Sequence, residues 1–87
     1  MAEVEIYTSA LCGYSHRAKH LLGNKGVKFV EYDVTFDQAK RQEMTERTGG
    51  KTSVPQVFID GKSVGGSDDL IELDLDDELD PMLGIAP

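Results

Sequence analysis

A helical segment separates the first two strand-like segments of this 87-residue chain, and that order limits the folds open to it. Residues 4–7 and residues 28–33 alternate apolar and polar side chains, which is typical of strands. Between them, Ala18, Leu21 and Leu22 recur at the spacing of one helix face. Two strands joined through a helix lie parallel in one sheet, with a right-handed crossover. We therefore predict a β-α-β unit at the start of the chain.

The second half of the chain contains a hairpin signal. Residues 56–59 predict a third strand, Asp60-Gly61 is a strong tight-turn sequence, and residues 62–64 predict the returning strand. The turn makes these two strands antiparallel. The whole order predicts an α/β protein in which a four-stranded mixed sheet is flanked by helices, as a single domain over residues 1–87.

Two further helices are indicated by their first residues. Thr35 and Gln38 fit a capping box for a helix that runs to about Thr48, with a thin apolar stripe of Ala39 and Met44. Ser67 is expected to cap a third helix that starts at Asp68-Asp69, where acids suit the positive helix end. The tail keeps a helical stripe that Pro81 interrupts: Ile71, Leu75, Leu79 and Leu83.

Composition narrows the class of function. The formal net charge of −7 argues against nucleic acid as a partner, and no apolar run approaches the roughly 20 residues that span a bilayer. An acidic N-terminus without a signal-peptide pattern, and a single cysteine, predict a cytoplasmic protein. Eight acids and no base occupy residues 68–80. This stretch is either a solubilising face or a docking surface for basic partners.

Cys12 stands between the first strand and the first helix. At a helix start, unpaired backbone N–H groups and the helix dipole favour the thiolate. Arg17 and Lys19 add positive charge in the next turn, and Gly13 leaves the approach to the sulfur open. A lone cysteine is more often a buried small apolar side chain, which has no use for these features. We therefore predict a nucleophilic thiol with a pKa below the roughly 8.5 of free cysteine.

Four segments of the chain occur together in a characteristic order and spacing. The first segment combines residues 7–8 (YT) with residues 12–19 (CGYSHRAK). The other three are residues 53–60 (SVPQVFID), 65–70 (GGSDDL) and 79–83 (LDPML). Together they resemble the active-site segment, the cis-proline segment, the glycine pair and the tail of bacterial glutaredoxins. The resemblance implies a thioredoxin-like fold and a glutathione-dependent thiol–disulfide oxidoreductase.

The resemblance also implies roles for the matching residues. Cys12 would be the nucleophile, and the ring of Tyr14 would flank the glutathione sulfur. Val54, before a cis Pro55, would pair its backbone with that of the tripeptide. The remaining glutathione contacts are implied at Ser53, Gly66, Ser67 and Asp68.

Elementary chemistry is consistent with several of these contacts. A helix N-terminus at Ser67 favours a carboxylate, and Asp68 could hold the neighbouring ammonium group. Lys51 lies near enough to Val54 in the chain to meet the glycine carboxylate. Each residue also has an ordinary interpretation, because Ser67-Asp68 is a common helix cap and Lys51 could be a plain loop lysine.

Three residues depart from the common pattern of the family. Ser15 stands where many members have a second cysteine, Gly13 where many have proline, and Ser9 where many have lysine. With Ser15 at the second active-site position, no internal disulfide can form. The resemblance then implies a monothiol reaction of a monomer, in which Cys12 and glutathione reduce glutathionylated proteins or small disulfides.

The sequence is compatible with two other functions for Cys12. Relatives with glycine after the cysteine can share a [2Fe–2S] cluster in a dimer, with Cys12 and a glutathione from each subunit as ligands. A zinc site of Cys12, His16 and His20 is disfavoured, because eight helical residues rise about 12 Å, too far for one ion. We therefore expect no metal at Cys12 unless the shared cluster forms.

Overall fold

The computed structural model describes residues 2–85, with the elements in the order β-α-β-α-β-β-α-α. The strands are β1 (Val4–Thr8), β2 (Val30–Asp33), β3 (Gln56–Ile59) and β4 (Lys62–Gly65). The helices are α1 (Gly13–Asn24), α2 (Gln38–Arg47), α3 (Ser67–Leu75) and α4 (Leu79–Leu83). Within residues 2–85, no helix has the length and apolar character needed to cross a membrane.

The sheet has the strand order β2-β1-β3-β4. β1 runs parallel to β2 and antiparallel to β3, and β3 runs antiparallel to β4. Asp60 and Gly61 both have positive φ angles, 51° and 81°, as the tight turn between β3 and β4 requires. The predicted mixed four-stranded sheet is therefore confirmed, and β1 lies between β2 and β3.

The two faces of the sheet bury different cores. Side chains alternate along a strand, so Ile6 and Tyr7 of β1 point to opposite faces. Ile6 belongs to the larger core, formed with α1, α3 and α4, whose other members include Ala18, Leu22, Val57, Leu70, Leu79 and Leu83. Tyr7 belongs to a smaller core with Val34, Met44 and Phe58.

An ion pair supplements the thin apolar face of α2. Arg47 donates to both carboxylate oxygens of Glu5, at 3.0 and 3.2 Å, and to the hydroxyl of Tyr7 at 2.8 Å. Its guanidinium lies 3.9 Å from the centre of the Phe58 ring. The hydrogen bond from Arg47 lowers the pKa of Glu5, although burial opposes it. Ala39 is exposed, contrary to the predicted stripe, and Met44 is the residue that α2 buries.

Both predicted helix caps were one or two residues out of place. Asp37, not Thr35, precedes α2, and its carboxylate accepts from the Lys40 N–H at 3.0 Å. Gly66, not Ser67, precedes α3, and the carboxylate of Asp69 accepts from the Gly66 N–H at 2.9 Å. In both places a neighbouring acid satisfies a backbone donor that the sequence pattern gave to another side chain.

The tail forms two helices rather than one interrupted stripe. Asp77 has a positive φ of 58° between α3 and α4, and Leu75 is exposed instead of joining the core. Pro81 lies in the first turn of α4, where its missing N–H is not needed. Lys25 bridges the two helices through Asp74 and Asp80, at 2.5 and 2.8 Å.

The second strand also begins later than predicted, at Val30.

Candidate active site

Cys12 immediately precedes α1, at the end of the loop that follows β1. Its backbone is extended, with φ −110° and ψ 117°, and the next residue begins the helix. The Cys12 N–H donates to the Ser9 carbonyl at 3.1 Å, which closes the loop. The half-buried sulfur lies 3.7 Å from the carbonyl oxygen of Val54. The loop therefore holds the thiol at a helix N-terminus, beside the segment before β3.

The surroundings of Cys12 lower the pKa of its thiol. Burial raises this pKa, but the N–H of Ser15, the hydroxyl of Ser15 and the N–H of Tyr14 together lower it by more. The predicted direction is confirmed, and so is the contribution of the helix start. The predicted contributions of Arg17 and Lys19 were wrong, because Arg17 lies over the Tyr14 ring and Lys19 pairs with Glu31 at 2.9 Å.

Ser15 is fully buried and faces Cys12 from the first turn of α1. Its oxygen accepts from the N–H of Ser9 at 3.1 Å, so its own hydrogen remains available to the sulfur. The hydroxyl thus links the loop before Cys12 to the thiol itself. Position 15 therefore lies on the same side of the first turn as Cys12.

A cleft of about 430 Å³ lies beside the Cys12 sulfur, walled by the segment before β3 and the start of α3. Every residue predicted to contact glutathione lines it: Tyr14, Lys51, Ser53, Val54, Pro55, Gly66, Ser67 and Asp68. The Val54–Pro55 peptide bond is cis, as the resemblance implied. Gln56 and Asp69 also line the cleft and were missed, although the acid pair Asp68-Asp69 was visible in the sequence.

The glycine pair shapes one wall of the cleft. A Cβ at Gly66 would lie 3.1 Å from the Pro55 carbonyl oxygen, so the backbone of α3 approaches that of the proline segment closely. Gly65 has a φ of 102°, and a Cβ there would overlap the carboxylate of Asp69 at 2.3 Å. Gly65 is therefore required by the geometry, Gly66 leaves little room for a side chain, and Asp69 accepts a hydrogen bond from the Gly66 N–H at this turn.

The cleft wall contains polar groups without partners. Among the described residues, no group bonds to the buried Gln56 Oε1 or to the buried Ser67 Oγ. Unpaired buried polar atoms are destabilising, so this wall favours a polar occupant over an apolar one. Lys51 contributes a cation and Asp68 a carboxylate to the same cleft, which suits a ligand that carries both signs.

The segment that carries Lys51 is attached to α2. The Lys51 N–H donates to the Thr48 hydroxyl at 3.0 Å, and Arg41 donates to the Thr52 carbonyl at 2.9 Å. The exposed side chain of Lys51 is thus placed at the cleft by a fixed backbone.

The comparison with known proteins decides the family. The glutaredoxin family model matches residues 4–64 of the chain. The chain belongs to the glutaredoxin family. It is 54% identical to glutaredoxin 3 of Escherichia coli K12 over 83 residues, which cover 95% of this chain and 99% of that protein. Membership of this family implies a glutathione-dependent thiol oxidoreductase activity.

Solved structures agree on the thioredoxin-like fold. The buckwheat glutaredoxin–glutathione complex superposes with a TM-score of 0.86 at 30% identity, covering 98% of this chain and 83% of that one. The glutaredoxin of Brucella melitensis gives a TM-score of 0.83 at 44% identity, covering 95% of this chain and 89% of that one.

The histidines of this glutaredoxin lie apart from the thiol chemistry. His16 is exposed, and its Nε2 is 3.2 Å from the Ala10 carbonyl oxygen. His20 is exposed one turn further along α1. In the part of the chain from residue 2 to residue 85, no three His, Cys, Asp or Glu side chains are placed to hold a metal ion.

Ser15→Ala should raise the pKa of Cys12, because it removes a hydroxyl that stabilises the thiolate. A hydrogen bond of about 0.5–1.5 kcal/mol corresponds to roughly two- to tenfold slower alkylation near neutral pH. The measurement is the pH dependence of alkylation by iodoacetamide. Ser63→Ala, at an exposed position of β4, is the matched control and should match the native profile. An unchanged midpoint for Ser15→Ala would show that the hydroxyl does not act on the sulfur.

Proposed function

We propose that this glutaredoxin reduces mixed disulfides between glutathione and proteins or small thiols through Cys12 alone. The observation that carries the proposal is the position of the chain's one cysteine, at a helix start beside a cleft lined by every predicted glutathione contact. The name of the buckwheat neighbour, a glutathione complex, supports the identity of the ligand.

The first step transfers glutathione to the protein. The Cys12 thiolate attacks the glutathione sulfur of the substrate, a new Sγ–S bond forms, and the bond from glutathione to the substrate sulfur breaks. The substrate leaves as a thiolate and takes a proton from water. A lowered Cys12 pKa supplies the attacking thiolate near neutral pH, and the N–H groups of Tyr14 and Ser15 maintain it.

The second step regenerates the thiolate. The thiolate of a second glutathione attacks the glutathione sulfur bound to Cys12, oxidised glutathione forms, and the electron pair of the broken bond returns to Cys12. Over the two steps, one reduced glutathione is consumed, the substrate thiol and oxidised glutathione are released, and Cys12 is returned as the thiolate. The Ser15 hydroxyl cannot form a disulfide, so the adduct persists until external glutathione arrives.

Each part of glutathione has a complementary group in the cleft. The γ-glutamyl carboxylate meets the α3 N-terminus at Gly66 and Ser67, and its ammonium group meets Asp68. The backbone of Val54 pairs with that of the tripeptide, and Lys51 takes the glycine carboxylate. The half-exposed ring of Tyr14 covers the sulfur side. The glutathione sulfur then lies near Cys12 Sγ, which is 3.7 Å from the Val54 carbonyl.

The cluster-carrier alternative depends on more than one chain. A [2Fe–2S] cluster takes four sulfur ligands, and this chain supplies one, Cys12. Gly13 has open space around its Cβ direction, so no close contact within the chain demands glycine there. A visible spectrum after anaerobic iron and sulfide reconstitution with glutathione tests the alternative directly.

The second step also suggests where the protein works. It consumes reduced glutathione, which is abundant where the glutathione pool is kept reduced. We therefore propose a cytoplasmic location, tested by subcellular fractionation of the native protein.

Cys12→Ser should abolish glutathione-dependent reduction, since the chain has no second thiol to replace it. The assay follows oxidised glutathione, coupled to glutathione reductase, with a glutathionylated small thiol as substrate. Ser63→Ala serves as the control and should retain native activity. Turnover by Cys12→Ser above a few per cent of the native rate would contradict a reaction through Cys12.

Asp68→Ala should mainly weaken glutathione binding, whereas Asp69→Ala should mainly destabilise the fold. Removing Asp68 deletes a charge-assisted contact to the ligand, so the KM for glutathione should rise roughly five- to tenfold, while the free energy of unfolding should fall by only about 0.3 kcal/mol, since one acid is lost from the α3 N-terminus. Removing Asp69 deletes the acceptor for the Gly66 N–H and should lower the free energy of unfolding by about 1 kcal/mol. Kinetics and urea unfolding separate the two. Equal KM changes in both variants would mean that helix capping explains both acids.

A further inference from the structure

A second groove, of about 290 Å³, lies on the other side of β1 from the glutathione cleft. It is lined by Ala10, Asp33, Thr35, Phe36 and Asp37, and it shares no lining residue with the cleft. The strand order explains its place: β2 ends on one side of β1 and β3 begins on the other. The loop that leads from β1 to Cys12 therefore has the cleft on one flank and this groove on the other.

Hydrogen bonds join the groove to the loop before Cys12. The Ala10 N–H donates to the Thr35 hydroxyl at 2.9 Å, and the hydroxyls of Ser9 and Thr35 lie 3.3 Å apart. The Thr35 N–H in turn donates to Asp33 at 2.9 Å. Ala10 is two residues from Cys12. The groove is thus held in a constant position relative to the reactive sulfur.

Exposed apolar side chains flank this junction. Phe36, next to Thr35, is 96% exposed, and Leu11, next to Ala10, is 84% exposed. No other large apolar side chain in residues 2–85 is exposed to this degree. Covering such side chains removes apolar surface from water and is favourable. The junction therefore presents apolar surface within two residues of the nucleophile.

The ionisable groups that line the groove are both carboxylates. The hydroxyl of Thr35 and its N–H lower the pKa of Asp33, which is therefore ionised at neutral pH. The second is Asp37, whose carboxylate also receives the Lys40 N–H. A negatively charged groove beside exposed apolar side chains is complementary to a basic and apolar partner.

We propose that this groove holds the polypeptide of the glutathionylated substrate, and that it favours a segment with an apolar residue and a lysine or arginine beside the reactive cysteine. The inference rests on the proposed function. Glutathione fills the cleft during the first step, so the polypeptide must lie outside the cleft. The groove is the nearest such place along the chain, because its lining residue Ala10 is two residues before Cys12 and is bonded to Thr35 of the same groove.

The apolar part of the proposal is tested with Phe36→Ser. Two substrates are compared: a glutathionylated peptide with Lys and Leu flanking its cysteine, and the mixed disulfide of glutathione with 2-mercaptoethanol, which has no polypeptide. We expect kcat/KM for the peptide to fall roughly tenfold, or about 1.4 kcal/mol, with the small substrate unaffected. Leu75→Ser, at another exposed leucine on α3, is the matched control and should change neither value.

The charge part is tested with Asp33→Asn/Asp37→Asn, which keeps both side-chain acceptors and removes two charges. The native protein should prefer the Lys-containing peptide over a Glu-containing one, and the preference should shrink in the variant and at high salt. The control, Asp76→Asn/Asp77→Asn, changes the same net charge between α3 and α4 and should retain the preference.

The outcomes separate this inference from the proposed function. Equal losses on the peptide and on the small disulfide in Phe36→Ser would overturn the docking role, as would no loss on either. A sedimentation shift from dimer to monomer without a peptide-specific loss would show that the groove joins two copies of the chain, and would also overturn it. Failure of the native protein to turn over the small disulfide would instead contradict the proposed function.

Discussion

The chemistry of this glutaredoxin depends on the hydrogen bonds that the first turn of α1 directs at one sulfur. The N–H groups of Tyr14 and Ser15 and the Ser15 hydroxyl lower the pKa of Cys12 by more than burial raises it. Charged side chains are not needed for this, because Lys19 is paired with Glu31 and Arg17 stacks on Tyr14. The thiolate is therefore stabilised by backbone N–H groups and one hydroxyl of α1. Any residue that fixes the first turn of α1 also affects the pKa of Cys12.

The strand order turns one reactive loop into a site with two sides. β1 leads into the loop before Cys12, and it has β3 on one side and β2 on the other. The β3 flank, with the cis peptide before Pro55 and the glycine pair before α3, forms the polar cleft proposed for glutathione. The β2 flank forms the acidic and apolar groove proposed for the polypeptide. Arg47 joins α2 to this strand by its hydrogen bonds to Glu5 and Tyr7 of β1.

Much of this could be predicted from the sequence where local pattern and tertiary structure agree. Alternation predicted the strands, the Asp60-Gly61 turn predicted the hairpin, and the resemblance at Cys12 and residues 53–70 predicted which residues meet in the cleft. The predictions of the helix caps were wrong because two nearby side chains could each act as the N-cap. In the structure Asp37, not Thr35, caps α2. The groove was missed because spacing along the chain does not show that the Thr35 hydroxyl bonds to the N–H of Ala10, 25 residues away.

The central claim, that Cys12 alone carries glutathione while position 15 faces it, is tested most directly by intact mass after mixing with oxidised glutathione. The native chain should retain one glutathione on Cys12. Ser15→Cys places a second sulfur against Cys12, so this variant should lose glutathione and end mainly as an internal disulfide. Equal retention by both proteins would contradict the placement of position 15, and no adduct on the native chain would contradict the reaction through Cys12.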